Sequence, residues 1–336
     1  MLHGHQTWEF FHQPVILATG VVGGPMEAQG PLAKDFDILH GDLWLGQDSY
    51  EKAEKKMLEQ ACEKAIEKAG LKKEDIQFFL SGDLMNQIIS SSFCARTLGA
   101  PYLGLFGACS TSMEGLALAS LIIDSQCARY VLCGTASHNA SVEKQFRYPT
   151  EYGGQKPPSA QWTVTGAGTA VVGAEGEGPR VKAATIGRVV DMAIADPFNM
   201  GAAMAPAAVD TIEAHFRDMN TSPADYDLIA TGDLGQIGHH IAKDLLKKHG
   251  FDMGDTFTDC GLLIYSKDQK NVLLAGASGA GCSASVAYGH ILNRMRKGEL
   301  NKVMIVATGA LLSPISFQQN ETIPCIAHAV VIENVR

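Results

Sequence analysis

A chain of 336 residues, 46% apolar and 19% charged, has ordinary globular composition and enough length for a large core, as one domain or two packed halves. Its net charge of −9, with no sustained basic run, argues against nucleic acid or an anionic membrane surface as a generic partner. Apolar stretches such as 115–123 fall well short of the ~20 residues that span a bilayer, and the opening Met1-Leu-His-Gly-His-Gln-Thr-Trp8 lacks the basic start and apolar core of a secretion signal.

In chain order, Asp48-Ser-Tyr-Glu51 reads as a capping box that opens a helix. Met57, Leu58, Ala61, Cys62, Ala65, Ile66 and Ala69 follow at helical spacing, and Gly70 suits the position just past the helix end. A strand over 76–80 leaves Asp83 beyond its carboxyl end, on the side where α/β proteins place ligands. Phe106-Gly-Ala-Cys-Ser-Thr-Ser112 then opens a small-residue helix, and a buried strand lies within 128–137. Residues 138–165 are irregular and carry Arg147-Tyr-Pro149 and Gln155-Lys-Pro-Pro158; such insertions often form a pocket wall or a subunit contact. Past a glycine-rich junction at 173–179 come a helix around 207–219, a strand over 226–230 and a helix over 236–249.

This second series repeats the first. Residues 71–84 align without a gap on 221–234, with Asp75/Asp225, Gly82/Gly232, Asp83/Asp233 and Leu84/Leu234 identical. Residues 128–137 resemble 301–310, and 168–173 resemble 327–332. Gly107-Ala-Cys-Ser-Thr-Ser-Met-Glu-Gly115 has its counterpart in Gly279-Ala-Gly-Cys-Ser-Ala-Ser285, so Cys109 and Cys282 hold matching places. A doubled α/β unit with helices on both sides of its sheets is expected, its halves packed around a pseudo-twofold axis.

The eight cysteines contain no CxxC pair, which suits free thiols in a reducing compartment and speaks against a structural metal site; His3, His5, His239 and His240 read as surface histidines. Cys109 stands apart. A thiol between a strand and the N-terminus of a helix receives the helix's partial positive charge, which favours thiolate. Gly107 and Ala108 leave room beside it, and Ser110, Thr111 and Ser112 supply hydroxyls for capping or pocket polarity. The alternative is an inert buried cysteine filling a tight turn.

A duplicated unit with a cysteine at the start of the first half's central helix resembles the thiolase-like superfamily. That resemblance implies a five-layered α-β-α-β-α fold, with halves at 1–178 and 179–336, and commonly a homodimer. Its enzymes need a base for the thiol and donors for an oxyanion. The family's His-Pro-x-Gly-x-Ser-Gly motif maps onto Ser278-Gly-Ala-Gly-Cys-Ser-Ala284, which puts Ser278 at the histidine. The histidine of the related synthases maps near Gly232-Asp233. Cys325 resembles the family's C-terminal cysteine, and His328 is more readily a packed core residue than a base. The chain thus keeps the pocket and lacks the family's histidines, which favours binding over catalysis and implies no cofactor. A cysteine-dependent acyltransferase or ketoacyl synthase-like condensing enzyme is the alternative, and a structural scaffold for membrane proteins is a third reading.

Longer strings sharpen the resemblance: Trp8-Glu-Phe-Phe11, Ser81-Gly-Asp-Leu-Met-Asn-Gln87 and Gln161-Trp-Thr-Val-Thr-Gly-Ala-Gly168 are similar to a sporulation branch of the superfamily found in spore-forming Firmicutes. That branch implies a soluble component of a spore membrane system that takes up dipicolinic acid, free or with calcium. It also implies peripheral attachment at the forespore or spore inner membrane, with that system's membrane proteins as partners. The ligand is a flat pyridine with two carboxylates, so helix N-terminal amides, hydroxyls and a cation are the groups to look for. Asp83, Cys109, Ser110, Thr111, His138 and Arg147 are the expected contacts, with Lys144, Lys156 and Arg188 as further candidate cations. Asp83 could orient a basic residue, hold its own loop or meet ligand-bound calcium; its repeat Asp233 is the internal control.

Overall fold

The computed structural model describes residues 1–146, 157–266, 269 and 274–334. Ten strands frame it: β1 (Val15–Gly23), β2 (Phe78–Gly82), β3 (Tyr102–Gly104), β4 (Tyr130–Ser137) and β5 (Gly166–Gly173), then β6 (Arg180–Ile186), β7 (Leu228–Thr231), β8 (Phe257–Asp259), β9 (Lys302–Ala310) and β10 (Cys325–Glu333). The first five lie in the order β1-β5-β4-β2-β3 and the second five in the order β6-β10-β9-β7-β8. Directions match as well. β5 is antiparallel to β1 and β4, and β10 to β6 and β9. β2 is parallel to β4 and β3, and β7 to β9 and β8. The two sets join where Arg180 pairs with Val15, and Thr7–Glu9 lies alongside β6.

Alternation along the strands sorts the core into three sheets of side chains. Phe79 and Leu132 face outward to Met57, Leu58 and Cys62 of α1 (Tyr50–Lys68), with Cys94 of α2 (Ile89–Leu98). Leu80, Val131 and Cys133 face inward to Met113 and Leu116 of α3 (Thr111–Asp124). In the second half Ile229, Met304 and Val306 face Ala208, Ile212 and Phe216 of α5 (Met200–Met219), backed by Leu246 of α6 (Gly235–Lys248). Val303 and Ile305 face inward, where Cys282 and Ala284 of α7 (Ala280–Ser285) join α3. The layers therefore run α-β-α-β-α. Between β4 and β5 sits α4 (Asn139–Phe146), inside the stretch read as irregular.

Local details correct several expectations. Ser49, not Asp48, caps α1, accepting from the Lys52 amide at 3.3 Å. The first repeated strand starts at Phe78 rather than 76, and Gln77 just before it ties strands with its side chain: its Oε1 accepts from the amides of Arg129 and Tyr130, at 2.7 Å each. Asp227 does the same in the second half, taking the amides of Asn301 and Lys302. Asp75 and Asp225 also match, accepting from the amides of Lys72 and Ser222. α5 begins well before the expected 207 and contains Pro206. Its first turns are fixed by close packing on α6: a Cβ on Gly201 would lie 2.2 Å from the Leu234 carbonyl oxygen, so tertiary contact overrides the helix-breaking tendency of proline.

The strand pairing also shifts the sequence alignment of the later repeats by one residue. Phe78 pairs with Val131 and its mate Leu228 with Val303, whereas matching 128–137 to 301–310 sets Val131 against Met304. The described residues contain no helix long and apolar enough to cross a membrane.

Candidate functional site

The turn before α3 is built by contributions from both halves. Ala108 takes a left-handed φ of 50°, a conformation that costs a non-glycine residue energy and here aims Cys109 into a cavity wall, at 8% exposure. The Ser110 hydroxyl donates to the Gly107 carbonyl at 2.6 Å and that of Thr111 to the Ala108 carbonyl at 2.7 Å. From the second half, Gly309 of β9 presses on the same turn; a Cβ there would lie 2.3 Å from the Gly107 oxygen and 3.1 Å from the Ser110 nitrogen. The paired small-residue motifs touch through the Ser112 and Ser283 hydroxyls, 2.7 Å apart, and Ser283 also donates to the Cys109 carbonyl.

The cavity beside Cys109 has a volume of about 270 Å³, at the small end of sites for small ligands. Asp83 and residues 84–88 form one wall, with Gln87 and Ile88 at φ 56° and 47°. Val142, Glu143 and Phe146 of α4 form another, and residues 310–314 close a third. Asp233, Ser278 and Gly279 line the second-half side. Phe106 stands in the wall at 65% exposure, giving the cavity an aromatic face open to solvent.

The charges are one-sided. Asp83, Glu143 and Asp233 line the cavity, and no Lys, Arg or His does so among the described residues. The Asp83 carboxylate holds its own loop: Oδ1 accepts from the Met85 amide at 2.9 Å, and Oδ2 from the amide and hydroxyl of Ser91 at 2.7 and 2.8 Å. Burial pushes its carboxyl up despite these donors. Asp233 is used differently, crossing between elements to accept from the Gly279 amide at 2.9 Å and the Thr308 hydroxyl at 2.6 Å. The loop-holding task of Asp83 falls in the second half to Asp259, which accepts from the amides of Leu234, Gly235 and Gly261 and the Thr231 hydroxyl. Glu143 is oriented by the Thr163 hydroxyl at 3.1 Å.

Of the expected contacts, the structure brings Asp83 and Cys109 to the cavity. Ser110 and Thr111 lie in the adjoining turn with their hydroxyls turned to backbone. His138 is fully buried away from the lining: its Nδ1 accepts from the Ala140 amide, which leaves Nε2 to donate to the Leu43 carbonyl at 2.8 Å. Burial pushes the imidazole down, and it stacks on Tyr50 as a neutral ring. Arg147 and Lys156 lie outside the described residues. Lys144 pairs with Glu51, and Arg188 with Asp210 on the surface. His328 accepts from the Gly187 amide, and burial pushes it down to about 4. Cys325 is pushed up to about 12 by burial, and burial also pushes the Cys282 thiol well up.

Sequence reasoning missed Glu143, because nothing marked α4 within the irregular stretch, and undervalued Asp233 and Ser278. Both were the positions onto which the superfamily's histidines map, and both line the cavity. The described residues hold no group of three or more His, Cys, Asp and Glu side chains arranged for a metal ion.

A sequence model for the family described as stage V sporulation protein AD matches residues 4–333. The chain belongs to that family. Stage V sporulation protein AD of Bacillus subtilis (strain 168) is 51% identical over 332 residues, 99% of this chain and 98% of the relative. Solved structures with the same fold include 3-oxoacyl-[acyl-carrier-protein] synthase III of Aquifex aeolicus VF5, with TM-score 0.59 and 15% identity over 95% of this chain and 99% of the other. A variant of OleA from Xanthomonas campestris gives TM-score 0.62 and 14% identity over 97% and 100%. The stage V sporulation protein AD family is thus a sporulation family with the thiolase-like fold, and the five-layered architecture implied by the resemblance is the one observed.

Proposed function

We propose that this sporulation protein binds dipicolinic acid in the cavity beside Cys109, without turning it over, as the ligand-binding component of a spore membrane uptake system. The observation that carries the reading is the composition of the wall. A cysteine at the head of α3 faces Asp233 and Ser278, where an acyl-transfer enzyme of this fold would present imidazole. Phe106 and Phe146 offer faces for a flat ring, and Asn86 and Gln87 carry amide donors suited to carboxylates.

The acidic lining bears on the form of the ligand. A bare dianion would meet Asp83, Glu143 and Asp233 with no opposing lysine, arginine or histidine among the described lining residues. A calcium chelate presents a neutralised dicarboxylate and fits that field better. In the same reading the protein acts peripherally at the forespore or spore inner membrane, held by membrane proteins of the stage V sporulation A system. It pairs with a second copy through the free edge of β3, where Leu103, Ile89 and Phe93 are exposed.

Calorimetric titration with dipicolinate, with and without equimolar calcium, tests the reading. Saturable binding is expected, tighter with calcium, and weakened about tenfold by Phe106→Ala through lost stacking. No binding in either form sinks it. Intact-mass analysis after exposure to an acyl-CoA separates the alternative: an acyl adduct on Cys109 would make the protein an enzyme.

A further inference from the structure

Behind the cavity wall, and not part of its lining, Glu54 of α1 is fully buried. The Ser141 hydroxyl of α4 lies 2.7 Å from its Oε2 and 3.1 Å from the His138 carbonyl, both acceptors for the one proton. Glu54 Oε1 has no hydrogen-bond partner among the described residues. The Asp83 charge acts on Glu54 in the raising sense. The two carboxyls are unequally provided for. Asp83 takes three donors at 2.7–2.9 Å, whereas Glu54 has the Ser141 hydroxyl, shared with the His138 carbonyl, and a lesser contribution from that of Ser90, so the negative charge belongs on Asp83 and the proton on Glu54. Burial and the neighbouring Asp83 both push Glu54 well up, in the same sense.

Its position gives that proton a consequence. Glu54 ties α1 to α4 through Ser141, and the same turn of α1 takes the Ser90 hydroxyl at the Glu51 carbonyl, beside the Ser91 that Asp83 holds; that loop and α4, which presents Val142, Glu143 and Phe146, shape the cavity. We propose that Glu54 is a positioning residue for the cavity, holding α4 and the Asp83 loop together only while uncharged, so that ligand capture requires its proton and is weakened when the proton is lost. A second negative charge in that space would have only the hydroxyls of Ser141 and Ser90 to receive it and Asp83 to repel it, and the walls must separate or admit water to accommodate it.

The other titratable groups around the pair come from each packed element. Glu51 on α1 is held by Lys144 of α4. His138 is pushed down by burial and stays neutral through the alkaline range. Tyr102 of β3 donates to the Ser81 carbonyl and is pushed up. Glu143 lies on the cavity side, and α2 adds only the buried Cys94 thiol.

For its binding readout this inference rests on the ligand reading above, and the test separates the two. Affinity for dipicolinate with calcium is measured from pH 6 to pH 9 on the full chain and on Glu54→Gln. Wild-type affinity should fall toward the one-proton limit of about tenfold per pH unit once Glu54 ionises. Glu54→Gln, which copies the uncharged form, should keep its pH 6 affinity to pH 9. Parallel profiles overturn the proposal. If no ligand binds at any pH, the ligand reading fails while thermal unfolding without ligand still decides Glu54: the wild-type midpoint should drop over this range more than that of Glu54→Gln. Isotope-edited infrared spectroscopy of the wild type reads the proton without any substitution. A protonated buried carboxyl at pH 6 that disappears on raising pH supports the proposal, and its absence at pH 6 overturns it.

Discussion

Asp83 and Asp233 occupy the same place in two copies of one unit, and they do different work. Asp83 turns inward on its own loop, binding Met85 and Ser91, so it shapes one cavity wall locally. Asp233 reaches across to Gly279 and Thr308, so it fastens the second half's strand end to the start of its central helix. A repeated residue therefore marks a repeated backbone geometry, while its partners decide what it contributes. In the first half the aspartate holds a wall within one loop, and in the second it joins two elements that form the facing side.

The sharpest way to break that contrast is to remove each carboxylate. Asp233→Ala strands a buried amide and hydroxyl at the join of two elements and should cost about 3–5 kcal/mol in chemical denaturation. Asp83→Ala should cost less, about 2 kcal/mol, and abolish measurable dipicolinate binding. Equal losses of stability with binding intact would leave the two aspartates as interchangeable turn builders.

A second test addresses the seam between the halves. Glu27 accepts from the Tyr265 hydroxyl of the second half and from the Thr165 amide, and burial pushes its carboxyl up to about 7. A carboxyl raised on folding favours the protonated native state. Its stabilising contribution is complete below the unfolded value near 4.5 and is lost as pH rises to about 7. The total is about 3 kcal/mol as an order of magnitude. Glu27→Gln should flatten the stability profile between pH 5 and pH 8; an unchanged slope assigns the pH dependence elsewhere.

The smallest effect serves as the control. Gln77 and Asp227 each accept two strand amides at matching points of the halves. Replacing either by alanine should cost about 1 kcal/mol, alike in both halves and without effect on ligand affinity. Unequal costs would mean that the halves differ throughout, and not only around the cavity.

The fold was largely legible because its signals were local. Helical spacing from Met57 to Ala69 and the gapless match of 71–84 to 221–234 need only neighbouring residues to be read. The register of the later repeats was not legible. Val131–Ala136 are buried on both faces, so no polar alternation fixes which residue matches which, and the alignment slips by one without violating any pattern. The site divided the same way. Cys109 was visible from its turn, and Asp83 from the strand before it. Glu143 comes to the cavity from a helix with no sequence marker, and His138 was drawn inward by the Leu43 carbonyl, a partner 95 residues away. Arg147 lies outside the described residues. Long-range partners decide which polar residues face a cavity, and a single sequence does not display them.

The pressure of Gly309 on the Gly107–Ser110 turn sets the order of events during synthesis. When residue 180 leaves the ribosome, the cysteine turn exists as sequence but lacks Asp233, Ser278 and residues 309–314, which complete its surroundings. A nascent or clipped first half consequently has no formed cavity. The cavity is complete only when β9, near the end of the chain, closes over a turn made some two hundred residues earlier.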